Sequence, residues 1–189
     1  GKGSGVDVAA SLYGGLLEYQ VGDTETMPSA QSIQAPADVE WMWIWLGQAA
    51  STRDFLNGMA VFREHRGDEY QSHIAELTQL AQDGVAAAHS GASDDLLTGI
   101  NAYGHAMQRL GEAAHVPIYT DGHRRLAQLA KRFGVAFKPS GAGGGDIALA
   151  ASRDTEALSD LARQVHAAGY PVVALGPATH GLSIRSGSE

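Results

Sequence analysis

The chain has 189 residues, 44% hydrophobic and 18% charged, which suits a soluble domain able to bury its own core. A formal charge of −8 argues against general nucleic-acid binding, and no apolar run approaches the length needed to span a bilayer. The lack of cysteine excludes disulfides and thiolate metal sites and fits a cytoplasmic protein.

The first expected element is a helix from Ser4 to about Tyr13. Ser4 is its expected N-cap, Asp7 falls in the first turn where the helix dipole favours an anion, and Gly14-Gly15 stops it. Leu16 to Val21 reads as a strand. Gly22 to Ala37 is polar and turn-rich, with a short strand around Ile33. Val39 to Leu46 reads as a buried strand, and Trp41, Trp43 and Trp45 at period two predict one packed face of a sheet. In so acidic a chain that reading is favoured over base stacking.

Helices follow. Ser51 or Thr52 caps one marked by Phe55, Met59 and Phe62. Ile74, Leu77, Ala81, Val85 and Ala88 form a second stripe, and Leu97, Ile100, Met107, Leu110 and Ala114 a third. Thr120 begins a fourth helix, with Leu126, Leu129 and Phe133 inside and Gly134 closing it. Leu158, Leu161 and Val165 mark a last helix ended by Gly169, and Val172–Leu175 and Leu182–Ile184 read as strands. Strands at both ends with helices between them predict an α+β domain. The histidines form no metal set: there is no H-E-x-x-H, and they read as surface or satisfied core residues.

Between a short strand at Val135–Phe137 and the apolar run Ile147–Ala151 lies Lys138-Pro-Ser-Gly-Ala-Gly-Gly-Gly-Asp146. Glycine costs backbone entropy and gives nothing to pack, so this density suits a place where backbone N–H groups approach an anion, usually phosphate. A flexible surface loop is the alternative, but ordinary linkers are seldom this short or set between apolar runs. The only lysines are Lys2, Lys131 and Lys138, and two of the three flank glycine-rich segments. Asp146 reads as a turn or cap residue.

Ser140 to Asp146 resembles the third signature of the GHMP kinases, which phosphorylate small molecules such as galactose, homoserine, mevalonate and phosphomevalonate. Gly1 to Gly15 is similar to the segment that carries the catalytic aspartate in the mevalonate and phosphomevalonate kinases of this family. Trp45 to Asp54 resembles a strand-to-helix loop of its phosphomevalonate kinases. The three matches fall in family order along nearly the whole chain. The resemblance implies a ferredoxin-like C-terminal domain with additional helices over residues 16–189. Residues 1–15 would then close the family's N-terminal domain. The family's ATP-cradling Pro-x-x-x-Gly-Leu-x-Ser-Ser-Ala loop is not found in these 189 residues, so an N-terminal half of the same protein is an expected partner.

The resemblance also implies roles. Asp7 matches the catalytic aspartate, with Lys2 as a candidate cationic partner and Ser4 beside it. Ser51, Thr52 and Arg53 are candidate acceptor contacts, the first two also as helix caps. Ser140, Gly141, Gly143, Gly144 and Gly145 shape the phosphate and acceptor site, with Ser140 a candidate phosphate donor. Lys138 is either a phosphate contact or an exposed strand end. The expected reaction is γ-phosphoryl transfer from ATP, with Mg²⁺ whose ligands lie mostly outside this chain, to phosphomevalonate. Mevalonate is the alternative acceptor, and a non-catalytic domain that binds a ligand or partner is a further alternative.

Overall fold

The computed structural model of the chain describes residues 4–22, 26–47, 52–176, 178 and 181–183. Its strongest organising feature is an antiparallel four-stranded sheet built from β3 (Glu40–Trp45), β4 (Ala136–Pro139), β5 (Ile147–Ser152) and β6 (Val172–Val173), in the spatial order β4-β5-β3-β6. Between β3 and β4 run four helices: α2 (Thr52–His65), α3 (Gly67–Ser90), α4 (Ser93–Ala114) and α5 (Asp121–Arg132). A single helix, α6 (Thr155–Ala167), joins β5 to β6. Within this sheet the chain order is strand, helices, two strands, helix, strand, with β5 inserted between β3 and β4. That is the ferredoxin-like arrangement, enlarged by extra helices in its first crossover.

The register explains which side chains form the core. Ile44, Ala148 and Pro139 stand in one row and Met42, Ala150 and Phe137 in the next, so these six share a face. That face is sealed by α5 and α6, whose Leu126, Leu161 and Val165 are fully buried. The opposite face carries Trp41, Ala151 and Ala136 in one row and Trp43, Leu149 and Lys138 in the next. Its first row is closed by Ala87 of α3 and by Leu96 and Ile100 of α4. The second row stays half-buried, and Trp45 is 46% exposed. The tryptophans therefore lie on the less covered face, and the residues between them make the core. Period two locates the two faces but does not say which one the helices choose.

The residues before the sheet form a smaller unit: α1 (Val6–Tyr13), then β1 (Leu16–Gln20) and β2 (Ser29–Ile33) paired as an antiparallel hairpin. The N-cap of α1 is Gly5, at φ 81°, and not Ser4. Ser4 Oγ instead accepts from the Val6 amide at 3.4 Å, while Tyr19 Oη donates to the Ser4 carbonyl and ties the helix start to β1. This unit meets the body through the Gly15 amide on the Ala178 carbonyl (2.5 Å), the Leu182 amide on the Ser11 carbonyl (3.1 Å) and a hydrogen-bonded contact between His89 Nε2 and Glu18 Oε2 (3.0 Å). Leu182 and Ser183 are irregular, so the expected strand at 182–184 is absent from those two residues, and Ile184 lies outside the described set. The strand expected at 172–175 ends at Val173, where the Leu175 amide turns back onto the Val173 carbonyl at 2.8 Å.

The stripe on α3 is buried less deeply than its spacing predicts, although Leu77 packs against the main core cluster. Ile74, Leu77 and Val85 are half-buried and Ala81 is exposed, while Ala87 and Ala88 near the helix end are buried. In α4 the large apolar side chains that are buried are Leu96, Ile100, Met107 and Leu110, with Leu97 and Ala114 half-covered.

Candidate active site

The glycine loop leaves β4 and returns as β5, so its ends are fixed by strand pairing. The Ser140 amide donates to the Ile147 carbonyl at 2.8 Å and closes the loop's base. Within it Gly141, Gly143, Gly144 and Gly145 all hold positive φ, from 59° to 95°, a region that side chains with a Cβ resist. At Gly143 the need is twofold, because an added Cβ would lie 2.3 Å from the Ile118 carbonyl oxygen. The Gly144 amide donates to that same oxygen at 3.0 Å, and the Gly143 amide donates to the Ser140 carbonyl at 3.3 Å. Two of the amides expected to face an anion are thus spent inside the protein. Among the described residues the amides of Gly141, Ala142 and Gly145 have no hydrogen-bond partner.

Lys138 is not an exposed strand end. It is half-buried, its Nζ donates to the Pro139 carbonyl at 2.9 Å, and it sits 5.6 Å from the centroid of the Tyr103 ring. Burial pushes the ammonium below the usual lysine range. Among the described residues no carboxylate pairs with it. The neighbourhood is tight because position 104 is glycine: a Cβ there would lie 2.8 Å from the Phe137 carbonyl oxygen, 2.9 Å from Tyr119 Oη and 3.1 Å from Lys138 Cβ. Asn101, one turn earlier on α4, accepts the Phe137 amide at 3.0 Å and so covers the outer margin of β4. Burial also raises the Tyr103 and Tyr119 phenols above their ordinary range.

Asp7 stands exposed in the first turn of α1, where the dipole favours its charge. Ser11 Oγ donates to its carbonyl at 2.9 Å. No hydrogen bond or ion pair joins Asp7 to the glycine loop among the described residues. Arg53 is exposed in the first turn of α2, whose Thr52 opens the helix. Lys2 and Ser51 lie outside the described residues. Among those described, no three His, Asp or Glu side chains gather to hold a metal ion, and no helix is long and apolar enough to cross a membrane.

One histidine departs from expectation. His123 is fully buried and takes the place of glutamate in a capping box: its Nδ1 receives the Thr120 amide at 3.2 Å, and its own amide donates to Thr120 Oγ1 at 3.4 Å. Nδ1 accepts a hydrogen bond, so the ring proton belongs on Nε2, which has no partner. Burial, with the nearby Arg124 charge, lowers its pKa to about 4. Sequence reasoning missed this residue, as it missed Asn101, Tyr103, Gly104 and Tyr119, because none belongs to a fixed-spacing motif.

No protein-family model matches the chain. A phosphomevalonate kinase of Streptomyces sp. (strain CL190) is 31% identical over 96% of the chain and 54% of its own length. Among solved structures, the Lin0012 protein of Listeria innocua superposes with a TM-score of 0.88, at 24% identity over 93% of this chain and 55% of its own. The phosphomevalonate kinase of Streptococcus pneumoniae, in complex with phosphomevalonate and AMPPNP, gives 0.76 at 19% identity over 93% of this chain and 56% of its own. The chain thus spans little more than half the length of each of these relatives. Sequence homology and the ferredoxin-like fold with its glycine loop agree, and the chain is a homologue of phosphomevalonate kinase with the C-terminal fold of the GHMP kinases.

Proposed function

We propose that the chain forms the acceptor-side part of an ATP-dependent kinase that phosphorylates phosphomevalonate. The observation that carries this reading is homology to a phosphomevalonate kinase along 96% of the chain, coupled to a glycine loop anchored at both ends and left with unspent amides. Phosphoryl transfer rests on positioning and charge stabilisation, and a loop fixed by strand pairing and by the Ile118 carbonyl supplies a rigid surface for both. Ser140 and the amides of Gly141, Ala142 and Gly145 are the candidate donors to acceptor or transferring oxygens. Gly143 and Gly144 hold the loop in shape.

An oxygen of the acceptor phosphate bonds to the γ-phosphorus as the bond to the bridging oxygen breaks, and the electron pair leaves with ADP. A phosphate monoester has a second pKa of about 6 and is mostly dianionic at neutral pH, so it needs no strong base. Asp7 then orients the acceptor or a cation beside it, for which Lys2 is the candidate within this chain. Were the acceptor mevalonate, an alcohol, Asp7 would have to assist removal of a high-pKa proton. Magnesium would shield the phosphates of ATP during transfer. The described residues offer no set of three ligands for it, and no step is assigned to it in this chain.

The test is coupled ADP release by the intact enzyme with phosphomevalonate and mevalonate offered separately. Turnover on phosphomevalonate is expected, and turnover confined to mevalonate overturns the choice of acceptor. In the same assay Asp7→Ala should lower kcat by about two orders of magnitude or more. Near-normal kcat removes Asp7 from the machinery.

A further inference from the structure

The carbonyl of Ile118 anchors the glycine loop. It receives the Gly144 amide at 3.0 Å, and it lies so close to Gly143 that a Cβ there would meet it at 2.3 Å. Ile118 belongs to the short connection from α4 to α5, so whatever sets that connection also sets the loop. At the α4 end the Val116 amide donates to the Gly111 carbonyl at 2.9 Å, and the Ile118 amide donates to the Val116 carbonyl at 2.7 Å. At the α5 end stand Thr120 and His123. The Thr120 amide donates to His123 Nδ1 at 3.2 Å, the His123 amide donates to Thr120 Oγ1 at 3.4 Å, and the imidazole lies against the Tyr119 ring with 5.5 Å between centroids. Among the described residues Nε2 has no partner, so the contacts of Nδ1 with Thr120 are what orient the ring. Only Tyr119 separates Thr120 from Ile118, and it is itself buried, with Oη seated 2.9 Å from where a Cβ on Gly104 would stand. Across two planar peptides and one packed side chain, a shift at the box has little slack in which to dissipate.

We infer that His123 is a positioning residue for the proposed phosphoryl transfer: its Nδ1 fixes the Thr120 amide and, through Thr120, the Ile118 carbonyl that holds Gly143 and Gly144 in place. The inference rests on the proposed reading of the glycine loop and adds to it a fully buried residue that meets no substrate. It gives the histidine a role beyond closing the first turn of α5, a task that the box would perform for any helix.

Two variants of the intact enzyme separate the possibilities. His123→Phe keeps a ring against Tyr119 and removes the acceptor. His123→Gln keeps an acceptor at the position where a capping box carries Glu or Gln. Both are read at pH 7, where burial and the Arg124 charge leave the native ring neutral. Hydrogen exchange of the Gly144 amide reports its bond to Ile118 directly, with the paired amides of β5 as the measure of global unfolding. In His123→Phe that exchange should quicken about tenfold or more relative to β5, and kcat/KM for phosphomevalonate should fall by a similar factor with the KM for ATP unchanged. His123→Gln should keep both near their wild-type values. A ring that only fills space would give the reverse order. Unchanged Gly144 exchange in His123→Phe overturns the inference, as does faster exchange that leaves kcat/KM intact, or an equal loss in both variants. Should His123→Phe fail to fold, Thr120→Ala removes the other half of the box at a half-buried position, and Gly144 exchange unchanged relative to β5 would then overturn it. Because exchange is read without turnover, His123 is tested even if the wild-type enzyme phosphorylates neither phosphomevalonate nor mevalonate; that outcome would fault the proposed reaction alone.

Discussion

The two faces of the four-stranded sheet are built from the same strands and meet different fates. On one, Met42, Ile44, Ala148 and Ala150 are packed beneath α5 and α6 and almost wholly removed from water. On the other, Trp43, Leu149 and Lys138 remain half-covered and Trp45 is largely open, although these residues are on average larger. Burying large aromatic surface is the stronger driving force per residue. Leaving it half-exposed while small alanines form the core separates the two jobs. The closed face carries stability, and the side that holds Lys138, with the glycine loop at its end, is the one to which the proposed chemistry is assigned.

The largest expected difference comes from truncating one leucine on each face. Leu161→Ala, under the closed face, should lose about 2–5 kcal/mol in denaturant unfolding. Leu149→Ala, half-exposed on the other face, should lose about 1 kcal/mol. Equal losses would break the distinction.

A second probe is pH. His123 is buried on the closed side with a pKa of about 4, against about 6.5 in the unfolded chain. Above pH 6.5 both states leave it neutral and its site is fully stable. As pH falls from 6.5 towards 4 the unfolded state gains a proton that the folded state refuses, so stability drops, by about 3 kcal/mol in all. Stability curves of wild type and His123→Gln should converge in slope above pH 7 and diverge below 6. Parallel curves down to pH 4 would mean that the ring titrates normally and is not sealed in.

The glycine loop marks the boundary between the two regimes, and two single substitutions sharpen it. Gly143→Ala forces a Cβ against the Ile118 carbonyl oxygen at φ 83° and should lose about 2–3 kcal/mol. Gly141→Ala has φ 59° but nothing within 4 Å, and should lose only about 1 kcal/mol. Unfolding of both variants measures the contrast, and a reversed order would place the anchoring at the wrong glycine.

Much of this was legible in the sequence, for reasons that can be named. The helices with wide apolar stripes, the Thr120 cap and the strand–glycine–strand segment all depend on local spacing, and local spacing is what a sequence displays. Coverage is not local. The tryptophans and the α3 stripe have the periodicity of buried residues, yet which face becomes core is decided by α5 and α6, which arrive some eighty residues or more after β3. The internal use of the Gly143 and Gly144 amides depends on Ile118, whose carbonyl is offered by the connection from α4 to α5. Lys138 looked like a possible strand end because nothing nearby in sequence announces Tyr103.

The clasp between Asn101 and the Phe137 amide reaches beyond the site it supports. A bare strand margin is a template on which a second molecule can lay its own backbone, and sheets that stay open on both sides tend to grow into aggregates. Here α4 lies along β4, with Gly104 allowing the close approach and Asn101 consuming the donor, so that margin is shut. The opposite margin ends in β6, a strand of only two residues, too short to guide an incoming chain. The residues beside Lys138 thus also guard the sheet's edge, and removing the Asn101 side chain would unseal a margin that is otherwise closed to its neighbours.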